Sequence, residues 1–259
     1  MQYSSEKAQR LWSLEQLVAA DPCLTPEDRV GLRLLRMMEN LREIRDATKT
    51  GLIVKGITSF GLVQNTFVYG SIEELSKIKN EMQIRSTVLR TGASPCRPLQ
   101  IRNDLFEMKL QAQLFNQLIT KDASELIDTF AAFNLQFGRR LDEIIADSAF
   151  MTTGEKVSTL EDIVGRMSVH CGKLAKVSKI AITCKNGEGI ITCRHISKVR
   201  ENDLDLNAAM EYWKGQRRPK GVTDIEEVSS KCDECHFEAN CGWVESNVRL
   251  FVGGSSRKP

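Results

Sequence analysis

The stretch Lys179-Ile180-Ala181-Ile182-Thr183-Cys184-Lys185-Asn186-Gly187-Glu188-Gly189-Ile190-Ile191-Thr192-Cys193 sets two β-prone runs on either side of an Asn-Gly pair. Asn and Gly tolerate the positive φ angles of a tight reversal, so the segment predicts a β-hairpin. Its surroundings read as helix: one predicted over 158–168 upstream, another from about Asp203 to Lys214 downstream. Strands grouped between helices, rather than alternating with them, predict an α+β fold.

Towards the N-terminus the same reading continues. A helix is predicted from Glu6 to Ala20, with Leu11, Leu14, Leu17 and Val18 on one face. A second begins at Thr25, a natural cap, with Pro26 at the first helical position and Glu27 and Asp28 at the positive end of the dipole. Its apolar stripe is Val30, Leu34, Met37, Met38 and Leu41, and Gly51 is its predicted stop. From Leu52 to Arg90 the pattern turns to strands: Leu52-Ile53-Val54, Leu62 to Tyr69, and Met82 to Leu89, separated by Gly51, Gly56, Gly61 and Gly70. A turn with Gly92, Pro95 and Pro98 leads to a helix from Asn103 to Ile119, whose apolar set is Leu105, Met108, Leu110, Leu114, Phe115 and Leu118. A further helix is predicted over 123–137. The segments divide into a core over 1–200, a C-terminal helix and cysteine module over 201–250, and a disordered tail over 251–259.

The 259 residues are 41% hydrophobic and 27% charged, an ordinary globular profile. No apolar run approaches the roughly 20 residues of a membrane span. The start, Met1 to Lys7, lacks the apolar centre of a secretory signal, and Glu6 speaks against a transit peptide. A nuclear or cytoplasmic location is expected, with the mitochondrion left open, and the eight cysteines are expected as free thiols or metal ligands. Net charge is only +2, which by itself gives nucleic-acid binding little support.

The sharpest local feature is Cys232-Asp233-Glu234-Cys235-His236-Phe237-Glu238-Ala239-Asn240-Cys241-Gly242-Trp243. Cys-x-x-Cys lets two sulfurs point at one ion, and Cys241 can close a third vertex. Three thiolates suit zinc or one face of an iron–sulfur cluster; the bland alternative is three unligated loop cysteines. His236, adjacent to Cys235, is poorly placed as a ligand.

Read together with Tyr212-Trp213, Gly215, Arg218-Pro219, Gly221-Val222 and Glu226-Glu227, this knuckle resembles the C-terminal end of the exonuclease V family. The strand pair from Lys179 to Arg200 and the Thr25-x-Glu27-Asp28 helix start extend the likeness upstream. The resemblance implies a RecB-like PD-(D/E)xK nuclease core, a small mixed sheet flanked by helices. It also implies that Cys232, Cys235 and Cys241 bind a [4Fe–4S] cluster, whose fourth family ligand lies upstream of anything matched here. That ligand would come from Cys96, Cys171, Cys184, Cys193 or another chain, or the site would hold zinc or nothing. For Cys184 and Cys193 a place in the core is the preferred reading.

The same resemblance locates a nuclease site. The family's Gly-x-Ile-Asp-Glu-Leu corresponds to Gly70-Ser71-Ile72-Glu73-Glu74-Leu75, and its Glu-Leu-Lys-Thr to Val88-Leu89-Arg90-Thr91. Glu73 thus stands for the metal-binding Asp, Val88 for the Glu and Arg90 for the Lys. Valine cannot bind Mg²⁺, and arginine lacks the compact, deprotonatable ammonium of lysine. Glu107 replaces a family Gln and is the one candidate to rescue the site. Arg217, Arg218, Lys220 and Arg97 are candidate nucleic-acid contacts. The expectation is a degenerate nuclease acting as a nucleic-acid-binding or scaffold subunit, with single-stranded DNA and a core-completing protein as partners. The rivals are an active Mg²⁺-dependent single-strand exonuclease using Glu73 and Glu107, and a structural zinc-knuckle protein.

Overall fold

A computed structural model describes residues 24–50, 54–78, 81–89, 98–154, 156–186, 189–199 and 204–216. Helix α1 (Pro26–Thr50) opens the described chain and is followed by strands β1 (Val54–Val63), β2 (Thr66–Ile78) and β3 (Glu81–Leu89). Helices α2 (Pro98–Thr120), α3 (Ala123–Thr129), α4 (Glu143–Thr153) and α5 (Leu160–Cys171) come next, with a 3₁₀ turn at Ala131–Phe133. Strands β4 (Val177–Lys185) and β5 (Ile191–Lys198) and helix α6 (Leu204–Trp213) complete the order. The five strands form one mixed sheet in sequence order; only β3 and β4 run parallel. That is the small mixed sheet flanked by helices expected from the sequence.

The start of α1 does more than its capping pattern announces. Thr25 donates from its backbone N–H and its hydroxyl to Asp28 Oδ2, at 3.0 and 2.7 Å, and accepts from Asp28 N–H at 3.2 Å. The other Asp28 oxygen accepts from Asp142 N–H at 2.8 Å, while Glu27 accepts from Gln136 N–H at 3.0 Å. Both carboxylates are buried, and Arg139 lies 3.6 Å from the remaining Glu27 oxygen. One helical turn therefore holds its own end and the distant 136–142 loop, since buried N–H groups need acceptors.

The glycines of the sheet act differently from the separators predicted for them. The run Leu62 to Tyr69 is not one strand: the chain reverses at Gln64 and Asn65, with φ of 47° and 60°. Gly61 and Gly70 instead lie inside strands, beneath α2. A Cβ on Gly61 would come 2.5 Å from Gln117 Oε1, the atom that accepts from Leu62 N–H at 3.2 Å. The missing side chain lets helix and strand approach closely enough for that bond.

Successive strand side chains point to opposite faces. Gly61 and Gly70 meet α2, whereas Thr58, Phe60, Phe67 and Tyr69 share a cleft with α1. The sheet is thus sandwiched, α2 on one face and α1, backed by α4 and α5, on the other. The predicted stripes point inward: Leu34, Met37, Met38 and Leu41 of α1 and Met108, Leu114, Phe115 and Leu118 of α2 are buried. Asn116 of α2 fixes the start of β4 by exchanging hydrogen bonds with both backbone groups of Val177, at 3.0 and 2.7 Å. Two helix expectations need correction. The helix predicted over 123–137 ends at Thr129, where Asn134 turns left-handed soon after, and α4 was not predicted because it exposes Ile144, Phe150 and Met151. An apolar face turned to solvent breaks the amphipathic pattern that marks a helix. The helix predicted over 6–20, the turn at 92–95 and the C-terminal cysteine module lie outside the described residues.

Candidate nuclease-type site

The register of the β1–β2–β3 meander decides what stands beside Glu73. Glu74 pairs with Arg85 and Leu75 with Ile84, so Glu73 lies opposite Ser86. The Ser86 hydroxyl donates to Glu73 Oε2 at 2.6 Å. Val88, two residues on and therefore on the same face, is partly buried and packs against the main hydrophobic core. The neighbouring strand offers Glu73 a hydroxyl and an isopropyl group, not a carboxylate.

The adjacent acid is engaged elsewhere. Glu74 forms a 2.8 Å ion pair with Lys55 across the β1–β2 ladder. That hydrogen bond, more than the charge of Glu74 itself, holds the Lys55 ammonium above its ordinary range. Glu107 is exposed on α2 and accepts from Gln111 at 3.1 Å. Gln111 packs beside Gly70, on the α2 face of the sheet, whereas strand alternation puts Glu73 on the opposite face. Glu73 and Glu107 thus each have a local partner and occupy different layers. Among the described residues, no group of three His, Cys, Asp or Glu side chains is placed to hold a metal ion.

Arg90, Arg97, Arg217, Arg218, Lys220, Cys232, Cys235 and Cys241 lie outside the described residues. Of the other cysteines, Cys184 and Cys193 face each other across the hairpin, Cys184 fully buried and Cys193 partly buried against the core, as preferred from the sequence. Cys184 is nevertheless disulfide-bonded, which departs from the expectation of free or metal-bound thiols. Cys171 is free, and burial pushes its thiol up to about 12. Metal binding needs the thiolate, so Cys171 is poorly suited as a fourth ligand.

Ser86 is the residue that sequence reading missed. Nothing in its own surroundings marks it; it gains meaning only from the strand register. The Phe60, Phe67, Phe130 and Phe133 cluster was missed too, since its members come from strands and a 3₁₀ turn far apart in the chain.

Two comparisons bear on this arrangement. A family model described as "Exonuclease V - a 5' deoxyribonuclease" matches residues 173–244. The zebrafish (Danio rerio) protein "Exonuclease V" is 27% identical over 233 residues, covering 87% of this chain and 57% of the relative. The chain therefore spans somewhat over half the length of that relative. On these matches, and with a sheet and flanking helices of the expected kind, the chain is similar to the exonuclease V family.

Proposed function

We propose that this protein is a catalytically silent exonuclease V relative that binds single-stranded nucleic acid as a scaffold subunit. The observation that carries the reading is that Glu73 is bound by the Ser86 hydroxyl, with Val88 and no acid on the same face of the neighbouring strand. Hydrolysis by this fold depends on a divalent ion that activates water and offsets charge on the phosphate. A lone carboxylate holds such an ion weakly, and Val88, seated on the core, adds no ligand. Arg90 keeps a positive charge suited to phosphate binding but not to lysine's role.

Cys232, Cys235 and Cys241 form a donor set suited to a soft metal, an iron–sulfur cluster or zinc, which would staple the C-terminal module. A brown protein absorbing near roughly 400 nm would identify the cluster, and a colourless protein with bound zinc the alternative.

The family description as a deoxyribonuclease favours a second reading, an active Mg²⁺-dependent single-strand exonuclease using Glu73 and Glu107. One experiment separates the two. A 5′-labelled single strand incubated with Mg²⁺ or Mn²⁺ is expected to stay intact while showing salt-dependent binding. Shortening of the strand that disappears in Glu73→Ala would establish the enzyme.

A further inference from the structure

Between α1, the β1–β2 hairpin and the 3₁₀ turn lies a cleft of about 360 Å³. Its floor is aromatic. Phe60 and Phe130 are buried with ring centroids 4.9 Å apart, and Phe67 lies 5.6 Å from Phe130. At the mouth stand two exposed rings: Phe133, 50% exposed and edge-on to Phe67 at 4.8 Å, and Tyr69, 76% exposed. The α1 wall brings Arg33 and Arg36 to the same cleft. The volume is near the lower end of the roughly 300–1,000 Å³ usual for ligand sites, enough for a small planar group rather than a long chain.

Burial alone does not account for Tyr69, a large ring left in water on a β-strand. The alternate positions that follow it on the same face of β2 are Ser71 and Glu73, both exposed. At about 3.3 Å per residue, Tyr69 stands roughly 13 Å along the strand from Glu73. An aromatic cleft, two cationic side chains and an open strand face running to the former metal position are the three parts of a single-strand binding track.

From this juxtaposition we infer that the cleft receives an unpaired base of single-stranded nucleic acid, stacked against Tyr69 and Phe133, with Arg33 and Arg36 beside its phosphates. The inference rests on the nucleic-acid reading above and gives it a place on the molecule. Stacking on aromatic rings tolerates every base, so the site would bind single strands without sequence preference. An apolar peptide side chain is the competing occupant. The paired arginines and the polar strand face favour the anionic one.

The test uses the full chain and a fluorescein-labelled oligothymidine, with binding read by anisotropy at low and high salt. Tyr69→Ala and Phe133→Leu are each expected to weaken binding about tenfold, the order found for one lost stack. Phe133→Leu keeps an apolar group on Phe67 and loses only the aromatic face, and far-ultraviolet circular dichroism verifies folding of both variants. Photo-crosslinking with 5-iododeoxyuridine is expected to label Tyr69 or Phe133. Wild-type affinity in both folded variants, the outcome for a peptide-binding or merely packed cleft, overturns this inference while nucleic-acid binding stands. No salt-dependent binding by the wild-type chain overturns both.

Discussion

Replacing Asp28 by alanine tests how much of the fold hangs on one buried carboxylate. Asp28 is 4% exposed and accepts three hydrogen bonds, from Asp142 N–H at 2.8 Å, Thr25 N–H at 3.0 Å and the Thr25 hydroxyl at 2.7 Å. A hydrogen bond to a charged group contributes about 1.5–3 kcal/mol. Counting the Asp142 bond in full and the two from half-buried Thr25 at half weight gives a loss of about 3–6 kcal/mol for Asp28→Ala. For a chain of this size that is a fall of roughly 10 °C in melting temperature. The pH dependence follows the same contacts. Burial alone would raise the Asp28 carboxyl, but the bonds from Asp142 and Thr25 outweigh it and hold it below its ordinary range. A carboxyl lowered by folding adds stability above the unfolded value of about 4 and loses it as pH falls through the folded value. The melting difference between wild type and Asp28→Asn should therefore be largest near neutrality and shrink at acid pH. Thermal melts followed by circular dichroism read both effects. An Asp28→Ala protein melting within about 2 °C of wild type would refute the reasoning, since even one lost bond predicts more.

Two further substitutions probe the sheet. Gly61→Val would drive a side chain into Gln117 and Leu114 and break the Leu62–Gln117 bond, an expected loss of about 1–3 kcal/mol in urea unfolding. Adding Gln117→Ala should recover part of it, and strict additivity of the two changes would argue against the contact. Val88→Glu seats an acid against the main core and is expected to cost about 2 kcal/mol, partly regained with Mg²⁺ because Glu73 then has an acidic neighbour. A Val88→Glu protein as stable as wild type and indifferent to Mg²⁺ would count against placing Val88 at the metal position.

Much of the architecture was legible because it depends on local chemistry. The cap at Thr25, the stripes of α1 and α2 and the β4–β5 strand pair each follow from neighbours in sequence, and each is present. What depended on distant pairing was not legible. Gly61 looks like a breaker until α2 is laid across it, and Gln64-Asn65 looks like mid-strand until the register shows a reversal. Glu27 and Asp28 read as helix-dipole residues, whereas their larger role is to hold a loop more than a hundred positions away. The site followed the same division. The proposed loss of a second acid at Val88 rests on a motif, whereas the Ser86–Glu73 hydrogen bond emerges only from the strand register.

Divalent-ion binding at Glu73 is the measurement closest to the central claim. Titration of the protein with Mn²⁺, followed by electron paramagnetic resonance of the free ion, is expected to give the same weak binding in wild type and Glu73→Ala. Tight Mn²⁺ binding that vanishes in Glu73→Ala would contradict the account and restore a metal-dependent nuclease.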